Sequence, residues 1–155
     1  MKAEIRAAQP EDLPALLEMG RAFFEQSGND AFTTFDEPSL VATLIGLMSG
    51  VGNGAVLVAE TGGEVVGMAA HVVFPFYANM NTKLGQELFW YCKPDFRSGI
   101  GTALLDELEA DAARKGADVF MSAAIAGLRD AAIGRVYQRR GYKPAENTFI
   151  RRLSS

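Results

Sequence analysis

The sequence predicts an α/β domain, on three observations. Apolar segments of strand length alternate with segments whose apolar residues recur at helical spacing, in the order β-α-α-β-β-β-α-β-α-β-β. One junction, Lys93-Pro94-Asp95-Phe96-Arg97-Ser98-Gly99-Ile100-Gly101-Thr102, leads from an apolar strand through a glycine loop straight into a helix. The chain has 155 residues, 48% of them hydrophobic and 22% charged. That is enough for one packed core and too little for a second module, so residues 1–155 read as a single domain.

Glu4-Ile5-Arg6-Ala7 forms the first strand of this reading. Gln9-Pro10-Glu11-Asp12 puts proline and acidic residues where a helix starts, and Leu13, Leu16, Leu17, Phe23 and Phe24 give that helix an apolar face as far as Gln26. The polar turn Ser27-Gly28-Asn29-Asp30 ends it, and a loose segment runs from Ala31 to Glu37. Pro38-Ser39 opens a second helix carrying Leu40, Val41, Leu44, Ile45, Leu47 and Met48, stopped by Gly50 and Gly52. Strands at Ala55–Glu60 and Val65–Phe74 flank the turn Thr61-Gly62-Gly63-Glu64, whose glycines accept the positive φ of a tight hairpin. Pro75 to Leu84 reads as a loop rich in Tyr and Asn.

The central strand begins at Gln86 or Glu87 and runs through Leu88-Phe89-Trp90-Tyr91-Cys92. Beyond the glycine loop, Ile100, Leu104, Leu105, Leu108 and Ala112 line a helix that ends near Lys115-Gly116. Ala117–Ala123 is a short buried strand, brought parallel to the central one by that helical crossover. After a loop from Ala124 to Leu128, Asp130 caps a helix bearing Ile133, Val136 and Tyr137, which Gly141 ends. Tyr142–Ala145 and Thr148–Leu153, turning at Glu146-Asn147, read as two closing strands.

Composition excludes several function classes. The apolar stretches are too short to span a bilayer, and Met1-Lys2-Ala3-Glu4-Ile5 lacks the apolar segment of a signal peptide. One cysteine permits no internal disulfide framework, so the expected location is the cytoplasm. Cys92, inside an apolar run, reads as a small buried hydrophobe rather than a nucleophile, and no Cys/His cluster suggests a metal. Residues 1–96 hold five Lys/Arg and twelve Asp/Glu, for −7, whereas residues 97–155 hold ten and seven, for +3. The part with the glycine loop is therefore the basic one, suited to a polyphosphate, and the acidic part suits a cationic amine. No dense basic run with interleaved aromatics points to nucleic acid.

A glycine loop at a helix start exposes N–H groups that have no partner inside the helix, and an anion can approach them without a Cβ in the way. A nucleoside-triphosphate loop needs a Gly-Lys-Ser/Thr that is absent here, and a dinucleotide fingerprint needs a third glycine where Leu104 stands.

Lys93-Pro94-Asp95-Phe96-Arg97-Ser98-Gly99-Ile100-Gly101-Thr102 resembles the acetyl-coenzyme A binding motif of the GNAT family of N-acetyltransferases, Gln/Arg-x-x-Gly-x-Gly/Ala. Gly99-Ile100-Gly101 matches the family's glycines, while its leading position falls on Phe96 and the arginine is displaced by one residue to Arg97. Downstream, Tyr137-Gln138-Arg139-Arg140-Gly141-Tyr142 is similar to the family's Tyr-x-x-x-Gly-Phe/Tyr. Phe89-Trp90-Tyr91, with Gly141-Tyr142-x-Pro144-x-Glu146 and Phe149, looks like a branch often found in bacteriophages and prophages.

The resemblance implies a GNAT fold, a mixed and mostly antiparallel twisted sheet flanked by helices. It implies acetyl-CoA as cosubstrate, no metal, and an amine-bearing small molecule, peptide or protein as acceptor. Pairing of two chains is common in the family. By position, the implied cofactor-binding residues are Tyr91, Cys92, Arg97, Ser98, Gly99, Ile100, Gly101, Thr102 and Asp130. N–H groups of Tyr91 and Cys92 would meet the pantetheine arm and thioester carbonyl. The loop between the first two helices, Phe32-Thr33-Thr34-Phe35, is a candidate to cover the acceptor.

Tyr137 matches the family's proton donor to the cofactor sulfur, and a phenol of pKa ~10 is protonated at neutral pH. A lysine-like amine of pKa ~10.4 is almost wholly charged at pH 7, so a base is expected. Three sources stay open: Glu87 at the entry of the central strand, His71, which is the only histidine, and water. Strict strand alternation puts Glu87 with Phe89 and Tyr91, and a bulge would reverse that. The rival reading is a coenzyme A-binding regulatory module without catalysis.

Overall fold

The computed structural model of the chain describes residues 2–154. Strand β1 (Glu4–Ala7) is followed by helices α1 (Leu13–Gln26) and α2 (Glu37–Met48), strands β2 (Ala55–Thr61), β3 (Glu64–Phe76) and β4 (Asn79–Cys92), helix α3 (Ile100–Arg114), strand β5 (Val119–Met121) and helix α4 (Asp130–Arg139). The strands form one sheet in the order β1-β2-β3-β4-β5, antiparallel except for β5, which runs parallel to β4. This is the mixed, helix-flanked arrangement expected.

Strand periodicity sorts the core into two layers. On one face, Val56, Val58, Met68, Ala70 and Tyr91 pack against Leu16 and Met19 of α1 and Leu44 and Leu47 of α2. On the other, Leu57, Ala59, Val66, Ala69 and Cys92 pack against Ile100, Leu104 and Leu108 of α3. Gly67 lets α3 come close to the sheet, because a Cβ there would lie 2.8 Å from Leu104 Cδ1.

Local signals account for most boundaries. Asp36 caps α2 by accepting the Ser39 N–H at 2.9 Å, and Gly62 and Gly63 both take positive φ in the β2–β3 turn. Gly141 has φ 84°, and the N–H of Tyr142 returns to the Tyr137 carbonyl to close α4. Arg6 joins the sheet edge to the start of α1, donating to Asp12 at 2.7 and 2.9 Å and to Glu60 at 2.7 Å.

Three sequence expectations need correction. Residues Pro75 to Leu84 are not a loop: β3 and β4 form one long hairpin, with Phe76 opposite Asn79. Pro75 is tolerated because β2 ends at Ala55, opposite His71, so β3 has a free edge beyond that point. The two closing strands are absent, since residues 143–154 carry no strand, and Phe149, Ile150 and Leu153 are exposed. Strand propensity needs a neighbour to take up the ladder bonds, and β5 offers only three residues. Asp130 does not cap α4 but forms its first residue, the cap position being Arg129 at φ 53°.

Replacing fully buried Leu104 by alanine is expected to lower stability by ~2–5 kcal/mol in a denaturant titration, because it leaves a void between α3 and the sheet. The Arg6 guanidinium holds the Asp12 carboxyl below the usual carboxylate range. A lowered folded-state pKa makes this contribution full above ~4 and lost as pH falls through the folded value. Asp12→Asn should therefore cost ~1–3 kcal/mol at pH 7, with the gap to the parent protein closing in unfolding curves taken at progressively lower pH.

Candidate active site

The site is built around the place where β4 loses a neighbour. β5 pairs with β4 only at Leu84, Gly85 and Gln86, so among the described residues no strand pairs with that side of β4 from Glu87 to Cys92. On the other side, β3 continues to pair as far as Cys92. The Lys93 N–H donates to Val66 O at 2.9 Å, which fixes the parity of the antiparallel ladder. Tyr91, two residues back, likewise turns its N–H toward β3, while Trp90 and Cys92 direct theirs to the open edge. The free donors are thus Trp90 and Cys92, and Trp90 takes the place expected of Tyr91. The Tyr91 side chain lies on the far face, where its ring meets Phe23 and its hydroxyl accepts from Gln26.

A bulge sets the face of Glu87. Ala70 pairs with Phe89 and His71 with Glu87, leaving Leu88 as the extra residue. Phe89 and Tyr91 face α1, whereas Glu87 shares the α3 side with Trp90 and Cys92. Strict alternation would have given the opposite.

At the head of α3, Gly99 adopts φ 86° and Ile100, Gly101 and Thr102 follow as its first turn, with N–H groups that have no helical acceptor. The Trp90 indole N–H donates to the Gly101 carbonyl at 2.8 Å, tying this turn to the open edge of β4. A Cβ at Gly101 would stand 3.4 Å from the indole, and one at Gly99 would meet only open space. Ser98 and Gly99 are exposed. These features fit a pyrophosphate cradle made of backbone N–H groups. Arg97 turns away from it, donating from Nε to the Cys92 carbonyl at 3.2 Å, its guanidinium 5.9 Å from the Tyr91 ring centre. Burial pushes the Cys92 thiol up to about 11, which keeps it an inert hydrophobe.

Tyr137 and Glu87 meet beside the same edge. The Tyr137 hydroxyl donates to the Ala123 carbonyl at 2.7 Å and more weakly to Glu87 at 3.4 Å, and the Ala123 N–H donates to Glu87 at 3.3 Å. The Tyr137 ring lies between Trp90, 6.0 Å away, and Tyr142, 5.0 Å away. Burial raises the Glu87 carboxyl above its ordinary pKa, although the Ala123 N–H and the hydroxyls of Ser122 and Tyr137 oppose the shift. Burial, followed by the Glu87 charge, raises the Tyr137 phenol, which is therefore protonated at neutral pH.

Two side chains that sequence reading passed over complete the cluster. Ser122 has a buried hydroxyl with no hydrogen bond of good geometry, yet it is near enough to favour the ionised forms of Glu87, Tyr137 and Tyr142. Its signal was only its place at the end of the crossover strand. Glu109 on α3 accepts from the Tyr142 hydroxyl at 2.6 Å and from Arg140 at 3.0 Å, and Asp106 pairs with Arg140 at 2.6 Å. This clamp fastens α4, and with it Tyr137, to α3.

His71 sits in the core and outside the hydrogen bonds of the Glu87–Tyr137 pair. It is fully buried and its Nε2 lies 2.6 Å from Asp111 on α3, which also pairs with Lys115. Asp130 is exposed at the start of α4 and joins none of these contacts.

Across β4, on the α1/α2 side, a cavity of about 390 Å³ opens between the helices and the sheet. Thr33, Thr34 and Phe35 of the connecting loop line it together with Leu88 and Phe89, while Phe32 does not. The bulge thus has Leu88 facing the cavity and Glu87 facing Tyr137.

Comparison with known proteins agrees with this geometry. The acetyltransferase (GNAT) family matches residues 15–142. No curated protein matches at the sequence level. Among solved structures, AAC(6')-Iy in complex with a bisubstrate analogue, CoA-S-monomethyl-acetylneamine, superposes with a TM-score of 0.79 at 15% identity, covering 100% of both chains. A ribosomal-protein-alanine N-acetyltransferase from Brucella melitensis biovar Abortus 2308 has a TM-score of 0.76 at 17% identity, with 99% of this chain and 100% of that one covered. A predicted acetyltransferase with acetyl-CoA from Clostridium acetobutylicum gives 0.74 at 20% identity, with coverage of 98% and 97%. Likenesses at such identities speak to the fold, and the family match over most of the length speaks to ancestry: the chain belongs to the GNAT family of acetyltransferases.

Proposed function

We propose that this protein transfers an acetyl group from acetyl-CoA to a primary amine, by direct attack while both substrates are bound. The observation that carries the proposal is the continuity of the open β4 edge with the first turn of α3 at one end and the Glu87–Tyr137 pair at the other. Acetyl-CoA supplies an activated carbonyl. The N–H groups of Ile100, Gly101 and Thr102 would hold its pyrophosphate, and those of Trp90 and Cys92 the pantetheine arm and the developing oxyanion.

Protein groups handle the protons. In the net reaction the acceptor nitrogen bonds to the acyl carbon as the carbon–sulfur bond breaks, one proton from the ammonium ends on sulfur, and the other goes to solvent. Glu87, its pKa raised by burial, takes a proton from the acceptor directly or through a water. Tyr137, protonated at neutral pH, gives its proton to the departing thiolate and regains one across its contact with Glu87. A thiolate of pKa ~8.5 leaves readily, so the tyrosine's share is modest.

Thiol release from acetyl-CoA with a panel of amines tests the proposal, and acetyl-CoA-bound protein that turns over no amine would contradict it. Tyr137→Phe should lower kcat by about 10²-fold while leaving KM for acetyl-CoA nearly unchanged. For the parent enzyme, kcat/KM should fall as pH drops through the raised Glu87 pKa, above the ordinary glutamate value of ~4.3, and Glu87→Gln should remove that limb of the profile. Gly101→Trp places an indole between the cradle and Trp90. Calorimetry should show loss of acetyl-CoA binding in a variant whose circular dichroism matches that of the parent protein.

A further inference from the structure

The cavity on the α1/α2 side has a distinct chemistry. Its walls are Phe23, Phe24, Phe35 and Phe89, backed by Leu40 and Met68. Phe24 and Phe35 meet edge to face, with ring centres 5.6 Å apart, and the Arg21 guanidinium sits 4.4 Å from the Phe35 ring centre. The polar groups on its rim are small and neutral, from Asn29, Thr33, Thr34 and Ser39. One ionisable residue lines it, Asp36, whose carboxylate already accepts the Ser39 N–H and hydroxyl as the cap of α2.

We infer that the acceptor is a small arylalkylamine, a single primary amine carried on an aromatic body, and not a polycation. The inference rests on the acetyl-transfer reading and narrows its acceptor. A volume of about 390 Å³ is within the range of small-ligand sites, and burial among four phenyl rings rewards an apolar body. Aromatic ring faces also attract one ammonium group before it loses its proton. A polyamine or an aminoglycoside would bring several ammonium groups against one carboxylate that is already engaged, leaving charges desolvated without partners. Leu88 and Phe89 line the cavity at the β4 bulge, and the other side of that bulge carries Glu87. From Glu87 onward that strand has no partner on its β5 side, so an amine at the inner end of the cavity reaches the acyl carbon past the open edge of β4.

The test measures kcat/KM by thiol release at saturating acetyl-CoA for 2-phenylethylamine, ethylamine, the amide of the dipeptide Phe-Ala, spermidine and kanamycin. 2-Phenylethylamine is expected to exceed ethylamine by about 10²-fold, with spermidine and kanamycin below both. Phe24→Ala, checked by circular dichroism, should shrink the ratio of 2-phenylethylamine to ethylamine to less than ~10. A higher value for the dipeptide amide than for 2-phenylethylamine would support the aromatic amine and assign its source to peptide N-termini. Faster acetylation of spermidine or kanamycin, or equal rates for ethylamine and 2-phenylethylamine, would overturn the inference, whereas no turnover of any amine by protein that binds acetyl-CoA would overturn the acetyl-transfer reading on which it rests. Failure to bind acetyl-CoA at all, read separately by calorimetry, would overturn the acetyl-transfer reading itself.

Discussion

Everything in the candidate site depends on β4 being paired along one edge and unpaired along the other from Glu87 onward. Exposed ladder groups usually invite another strand, and here the parallel partner leaves after three residues. The vacated edge holds oriented backbone dipoles at no cost in reorganisation, since β3 fixes the strand from behind. The bulge at Leu88 adds a second constraint. Without it, Glu87 would face α1, away from Tyr137, and Leu88 would point into the α3 layer.

α3 turns that edge into a site. Its first turn stands beside Trp90, held by the indole hydrogen bond to Gly101, and its middle, through Asp106 and Glu109, fastens α4 by Arg140 and Tyr142. One helix therefore sets the distance between the phosphate cradle and the phenol that would protonate the leaving thiolate. Since Leu104 and Leu108 are fully buried against the sheet, a core substitution there would tilt the frame that holds these groups. The Tyr-x-x-x-Gly-Tyr spacing acquires a physical meaning in this light. The first tyrosine meets Glu87 beside the open edge of β4, Gly141 turns the chain at positive φ, and the second tyrosine locks to Glu109.

Much of this was legible in the sequence because it was written in local chemistry. The apolar periodicity of α1 to α4, the Gly62-Gly63 hairpin and the Gly99 and Gly141 helix boundaries follow from neighbours within a few residues. What was not legible depended on pairing. Pro75 and the asparagines suggested a loop until the missing β2 neighbour removed the penalty for proline, and Thr148–Leu153 has strand composition without a strand to meet. The bulge at Leu88 leaves no mark in residue types, so the face of Glu87 and the exchange of Tyr91 for Trp90 as a free donor could be read only from the ladder register. Ser122 and Glu109 were invisible because their importance lies in which elements meet in space, and His71 proved to be a core residue paired with Asp111.

The most direct measurement is a calorimetric titration of the purified protein with acetyl-CoA, with ATP as control. If the N–H groups of Ile100–Thr102 and the open edge of β4 form one binding site, acetyl-CoA binds with a dissociation constant in the micromolar range and ATP does not. No heat and no thermal stabilisation with acetyl-CoA, or tighter binding of ATP, would contradict the account and withdraw the roles given to Tyr137 and Glu87.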